Sequence, residues 1–124
     1  MQQLLIIAGG GALGAVLRFE VSAYIYRFLG RDFPYGTLAV NVLGSLLMGI
    51  FFILIIERGM LSSEWRSGII IGFLGAFTTF STFSMETLAL VESGEINRAL
   101  LNIVLSVVIC LGATWIGLVI GRQI

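Results

Sequence analysis

The stretch GAFTTFSTFSME (residues 75–86) interrupts an otherwise apolar sequence with an ordered polar and aromatic pattern. Phenylalanine recurs at positions 77, 80 and 83, hydroxyl side chains occupy positions 78, 79, 81, 82 and 84, and residue 86 is a glutamate. Glycine and β-branched threonine weaken helix formation, so Gly75, Thr78 and Thr79 predict a break in the helix at this point.

The composition around this stretch is that of a membrane protein. The chain has 124 residues, of which 58% are hydrophobic and 11% charged, whereas about a quarter of the residues of a soluble domain are charged. Four apolar segments, at about 4–26, 36–56, 67–91 and 99–121, each approach the roughly 20 residues that cross a bilayer as a helix. The sequence therefore predicts an all-α integral membrane protein, residues 1–124 forming a single four-helix transmembrane domain with a break in the third helix.

Several classes of function are disfavoured by the composition. The chain has no histidine and a net charge of zero, so we expect neither a metal-dependent enzyme nor a nucleic-acid-binding protein. The single cysteine, Cys110, lies in an apolar run and cannot form an intrachain disulfide. The run GGGALG (residues 9–14) matches a dinucleotide-binding motif, but the strand and parallel sheet that this motif requires are not predicted.

The arginines give no preferred orientation in the membrane. Arg58, Arg66 and Arg122 fall on one predicted side, and Arg27, Arg31 and Arg98 fall on the other. Basic residues in loops normally set the orientation of a membrane protein. The tie predicts dual topology, with two oppositely inserted copies pairing as an antiparallel homodimer, although a single orientation is the simpler alternative.

Small and polar residues recur within the predicted spans at helical spacing. Glycines four residues apart (Gly10 and Gly14, Gly68 and Gly72, Gly117 and Gly121) predict close helix packing in lipid. Polar residues four apart lie on one face of the second span (Thr37, Asn41, Ser45) and of the fourth (Asn102, Ser106, Cys110, Thr114). Most such side chains join helices by hydrogen bonds, but the Asn41 amide could also offer two donors to an anion.

A break in the third span has consequences at membrane depth. Freed carbonyl groups need a partner there, which can be a neighbouring helix, water or a bound cation. Phe80 and Phe83 are three residues apart, and their ring edges carry partial positive charge that would favour a small anion; aromatic packing is the alternative. Arg18 and Glu86 are ionisable groups within spans, which often mark a pathway or a pair, although Arg18 could reach the headgroups instead.

Three segments together resemble the Fluc fluoride channel family, also called CrcB. They are GGGALGAVLRF (residues 9–19), GTLAVNVLGSLLMG (residues 36–49) and GFLGAFTTFSTFSMET (residues 72–87). The resemblance covers essentially the whole chain, including its length, its four spans and its charge-balanced loops. It implies a dual-topology antiparallel homodimer with two fluoride pores.

The resemblance also implies roles for individual residues. Asn41, Phe80 and Phe83 match pore-lining residues, and Ser81 and Thr82 match hydroxyls of a polar track, with Thr37 nearby. Gly75 and Thr78 match positions whose backbone carbonyls, from both subunits, hold a structural sodium ion. Arg18 and Glu86 match positions near the pore mouths. Position 110, where some members have a hydroxyl, is Cys110 in this chain.

We therefore expect a fluoride-selective channel that exports toxic fluoride from a bacterial cytoplasm by passive diffusion across the inner (plasma) membrane. A small dual-topology multidrug-type exporter is the alternative. It would need a carboxylate deep in the first span, whereas Glu20 is predicted near the end of that span. A structural subunit of a membrane complex would explain the glycine pairs but neither Asn41 nor the break.

Overall fold

A computed structural model of the protein describes residues 1–124 and contains helices but no strands. Four helical segments are long and apolar enough to cross a membrane: Gln2–Leu29, Tyr35–Glu57, Ser63–Glu92 and Ile96–Gln123. The predicted all-α class and the four spans are confirmed. Each segment extends beyond its predicted bounds, because polar residues at the ends can continue a helix that apolar patterning alone does not delimit.

Two spans are single helices and two are composite. The first span is α1 (Gln2–Leu29), and the second is α2 (Tyr35–Phe51), which continues as a π-helix over Phe52–Glu57. The third consists of α3 (Ser63–Ser67), a π-helix (Gly68–Leu74), α4 (Gly75–Phe77) and α5 (Phe80–Glu92). The fourth is α6 (Ile96–Gln123). Pro34 precedes α2 directly, where its missing N–H costs little.

Glycines bring α1 against the first part of the third span. A Cβ atom at Gly10 would meet the carbonyl oxygen of Gly68, and one at Gly14 would meet the carbonyl oxygen of Phe73. These contacts confirm the predicted packing role of the glycine pairs, since only hydrogen at the α-carbon lets the two backbones approach this closely.

The most extensive helix contact, between α2 and α6, uses the same device. A Cβ atom at Gly49 would meet the Thr114 carbonyl, and one at Gly117 would meet the Leu46 carbonyl. Because their backbones are in close contact, α2 and α6 form one packed unit, and α5 lies against it.

The third span breaks at two threonines. Thr78 (φ −86°, ψ 157°) and Thr79 (φ −152°, ψ 118°) are extended, and the helix resumes at Phe80. Gly75 has helical dihedral angles (φ −61°, ψ −36°), so the predicted break is confirmed but starts three residues later than Gly75. Stiff β-branched side chains favour the extended conformation, and the Thr79 hydroxyl then caps α5 by accepting the Thr82 N–H at 3.2 Å.

Large apolar side chains lie mainly on the outside of the molecule. Gly14 is the only buried residue of α1, and every span exposes several large apolar side chains. An outward apolar surface is what lipid or another hydrophobic partner requires, so the burial pattern agrees with a multi-pass membrane protein.

Candidate functional site

A cavity of about 410 Å³ lies beside the break in the third span. Residues from α2, the break, α5 and α6 line it, and none of them is charged: Asn41, Gly44, Ser45, Met48, Thr78, Thr79, Phe80, Phe83, Ser106, Val107, Cys110, Leu111 and Thr114. We call this space the break cavity. Three of the predicted pore residues, Asn41, Phe80 and Phe83, come together in it.

Asn41, on the neighbouring helix α2, stabilises the break by hydrogen bonds to Thr79. Its Nδ2 donates to the carbonyl of Thr79 at 3.0 Å, and its Oδ1 accepts the Thr79 N–H at 2.7 Å. One side chain thus satisfies both backbone groups of an extended residue, as a neighbouring strand would. Gly44, one turn further along α2, leaves room for the Thr78 methyl group.

The same contact releases carbonyl groups at the break. In a continuous helix the Thr79 N–H would bond the Gly75 carbonyl, but it is directed to Asn41 instead. The Thr78 carbonyl accepts no hydrogen bond from backbone or side chain. Uncharged carbonyl oxygens are suitable ligands for a hard cation, so the two predicted sodium-binding positions have the chemistry that such an ion needs.

The two phenylalanines of α5 form a pair at the cavity. The ring centroids of Phe80 and Phe83 are 5.3 Å apart with an interplanar angle of 43°. The Phe80 side chain is 78% exposed, so this aromatic ring is not packed into the core of its own chain. The two rings are neighbours, and burial in the core of its own chain does not account for Phe80.

The hydroxyls predicted as a polar track lie around the cap of α5. Ser81 Oγ is 3.2 Å from Thr79 Oγ1, and the Thr79 hydroxyl donates to Thr82 Oγ1 at 3.1 Å. Neither Ser81 nor Thr82 lines the break cavity of the single chain. Thr37 is buried one turn before Asn41 and is also outside the cavity.

Polar residues of α6 complete the cavity wall. Ser106, Cys110 and Thr114 line it, together with Ser45 of α2. From the sequence alone, these side chains are predicted to form hydrogen bonds between helices. Their four-residue spacing was the available signal, but spacing alone does not distinguish a helix interface from a cavity wall.

Glu86 lies at a second cavity, of about 360 Å³, beside the connection between the first two spans. Its Oε2 accepts the Tyr26 hydroxyl at 3.1 Å, and its Oε1 is buried without a partner. The Arg31 guanidinium lies 4.5 Å above the Tyr26 ring. Because Glu86 follows Phe83 by one turn of α5, the two cavities are successive along this helix.

The remaining ionisable residues of the first span lie elsewhere. Arg18 lines neither cavity, and its Nε is buried without a hydrogen-bond partner. Glu20 is exposed on α1. Since α1 continues to Leu29, the helix runs nine residues beyond Glu20, and the location of Glu20 near the end of the membrane span stays a prediction.

Comparison with known proteins identifies the family. Residues 5–118 match the family model described as CrcB-like protein, Camphor Resistance (CrcB). A Methylococcus capsulatus protein is 55% identical over 98% of this chain, which spans only 53% of that relative. Relatives from Hydrogenovibrio crunogenus (53% identical, 98% of this chain and 92% of the relative) and Coxiella burnetii (53% identical, 100% of both) match nearly end to end. All three relatives carry the name fluoride-specific ion channel FluC. This chain belongs to the CrcB family.

Proposed function

We propose that the protein is a fluoride-selective channel through which fluoride leaves the cytoplasm by passive diffusion. The observation that carries this proposal is the break cavity, where Phe80, Phe83 and Asn41 converge without any charged side chain. The names of the relatives support the choice of ion. A channel of this kind is not an enzyme.

The lining of the cavity suits a small, strongly hydrated anion. A pore must replace the water shell of fluoride with other donors, and several weak sites let the ion leave as readily as it enters. Phenyl ring edges carry partial positive charge, and the hydroxyls of Ser45 and Thr114 offer rotatable donors. A fixed cation in the same place would bind the anion more tightly and slow its passage.

The free carbonyls at the break support a structural sodium ion. Gly75 and Thr78 would hold it, with the same residues of a second copy supplying the rest of the ligands. When bound, such an ion satisfies carbonyls that lipid cannot and raises the local positive potential. Gly75 is exposed on its own chain, which leaves it accessible to another copy.

An antiparallel homodimer is the assembly that the surface of the chain supports. The arginine tie removes a preferred orientation, and the exposed ring of Phe80 lies at a surface that a second copy would cover. Two copies related by a two-fold axis in the membrane plane would form two equivalent pathways. Such a dimer would reside in the inner membrane of a bacterium, with lipid around it.

The multidrug-type exporter is not supported. Glu20, the carboxylate it would use, is exposed on α1 and lines neither cavity. Glu86 is tied to Tyr26 outside the break cavity.

Ion efflux from liposomes tests the proposed function. Purified protein is reconstituted in vesicles loaded with potassium fluoride or potassium chloride, and release is followed with ion-selective electrodes after a potassium ionophore is added. Fast fluoride release with chloride retained is the expected result. Equal release of the two ions, or release of neither, would reject the proposal.

A further inference from the structure

A buried chain of hydrogen bonds connects α6 to α5 behind the break cavity. The Ser106 hydroxyl donates to Asn102 Oδ1 at 3.4 Å, Asn102 Nδ2 donates to Thr87 Oγ1 at 2.9 Å, and the Thr87 hydroxyl donates to the Phe83 carbonyl at 2.7 Å. This series of hydrogen bonds begins at Ser106 and ends at Phe83, and both residues line the cavity. Asn102 and Thr87 lie between them without reaching the cavity.

Burial and bond direction fix this arrangement. Asn102 is 2% exposed and Thr87 is 7% exposed, so neither can exchange its partner for water at membrane depth. The single proton of the Thr87 hydroxyl is given to Phe83, so its oxygen must accept from Asn102. The Asn102 amide is then oriented with its oxygen toward Ser106, and each bond polarises the next in the same direction.

The broken helix needs such a restraint. Because the backbone ladder is interrupted at Thr78 and Thr79, α5 is not held by a continuous helix to α4. Asn41 anchors the start of α5 at Thr79. Asn102 anchors it again at Thr87, about 12 Å further along the helix axis. Phe80 and Phe83 lie between these two anchors.

We infer that Asn102, acting through Thr87, is a positioning residue that sets the height and rotation of Phe83 at the break cavity. The bond from Thr87 to the Phe83 carbonyl is internal to α5, so the hydrogen-bonded connection between α5 and α6 depends on the Asn102 amide. The inference rests on the proposed function, because it assigns these two residues to the geometry of the fluoride pathway. If these hydrogen bonds only hold α5 and α6 together, Phe83 should keep its position when one of the bonds is removed.

Three variants distinguish a role in positioning Phe83 from a role in holding α5 and α6 together. Thr87→Val keeps the side-chain shape but removes the hydroxyl, Thr87→Ser keeps the hydroxyl and is the matched control, and Asn102→Leu removes the amide. Fluoride efflux is measured after assembly has been checked by size-exclusion chromatography. A ¹⁹F NMR spectrum of 4-fluorophenylalanine at position 83 reports the ring environment independently of conduction.

We expect Thr87→Val and Asn102→Leu to assemble, to slow efflux by about tenfold, as loss of one hydrogen bond suggests, and to shift or broaden the ¹⁹F signal. Thr87→Ser retains both the efflux rate and the signal. The efflux rate of the double variant should be no lower than that of either single variant, because both substitutions interrupt the same series of hydrogen bonds.

An unchanged ¹⁹F signal in an assembled Thr87→Val or Asn102→Leu protein overturns the inference, even if that variant melts at a lower temperature. Failure of both variants to assemble would also overturn the inference, since the hydrogen bonds would then be needed for folding alone. If the unmodified protein conducts no fluoride, the proposed function fails, while the ¹⁹F signal still decides whether Asn102 positions Phe83.

Discussion

Asn41 pairs with both backbone groups of Thr79. Its Nδ2 donates to the carbonyl at 3.0 Å and its Oδ1 accepts the N–H at 2.7 Å. The pairing has two effects at once: it stabilises an extended residue within a membrane span, and it diverts the N–H that would otherwise bond the Gly75 carbonyl. The Asn41 side chain therefore supports the break that the two threonines favour and leaves the Gly75 carbonyl without its helical donor.

Replacing the Asn41 amide with a carboxylate should therefore disable the site. Asn41→Asp cannot donate to the Thr79 carbonyl and places negative charge beside it, so we expect a loss of about 1–3 kcal/mol in the free energy of unfolding and no fluoride efflux. Thermal unfolding in detergent and liposome efflux measure the two effects. Asn97→Asp, the same change at an exposed residue, is the control. Normal efflux through Asn41→Asp would remove Asn41 from the pathway.

The aromatic pair of α5 gives a second prediction. Phe80→Ile or Phe83→Ile should lower fluoride efflux by at least about tenfold, because an aliphatic side chain has no positive edge. The variants should elute like the unmodified protein in size-exclusion chromatography. Phe28→Ile, at an exposed position of α1, should conduct normally. If both α5 variants conduct at the unmodified rate, the rings serve packing instead.

The glycine contacts predict a contrast within α6. Gly117→Ala places a methyl group against the Leu46 carbonyl and should cost about 1–3 kcal/mol of stability through overpacking. Gly112→Ala has no atom within 4 Å of the new Cβ and should gain up to about 1 kcal/mol from helix propensity. Thermal unfolding compares the two variants. Equal midpoints would mean that α2 and α6 can separate at little cost.

Much of the fold follows from the sequence because it depends on local patterns. Apolar length predicts the four spans, four-residue glycine spacing predicts close helix packing, and Thr78 with Thr79 predicts the break. Of the three residues that predict the break, Gly75 is helical and only Thr78 and Thr79 are extended. Glycine tolerates an extended conformation but does not require it, whereas adjacent β-branched residues favour it.

The site was predictable only in part, because it depends on which faces meet. The sequence predicts that Asn41, Phe80 and Phe83 line the pathway, and the structure brings the three side chains together at one cavity. The partner of Asn41 was not predicted, since pairing with Thr79 needs the position of α2 against the break. Likewise, the spacing of Asn102 and Ser106 is the same whether the residues line a cavity or support one from behind.

The free carbonyls predict a dependence on sodium. Adding sodium should raise the unfolding temperature of the protein in detergent, by the equivalent of about 2.7 kcal/mol at a hundredfold excess over the dissociation constant. A large organic cation at the same ionic strength is the control. Identical unfolding temperatures and fluoride efflux in the two salts would contradict a structural sodium ion.

The arginine tie predicts dual topology. A reporter fused at the C-terminus should be found on both sides of the bacterial membrane. Extra basic residues at one end should force a single orientation and abolish fluoride resistance, and an oppositely biased copy should restore it. Labelling of the unmodified chain from one side only would contradict the antiparallel dimer.

The reversal potential in a planar bilayer tests the central claim most directly. With fluoride tenfold more concentrated on one side and chloride replacing it on the other, a passive fluoride-selective pathway should reverse near the fluoride equilibrium potential, about 59 mV from zero. This value should not change with a pH gradient. A reversal that follows chloride or the pH gradient, or fluoride movement without any current, would contradict the account.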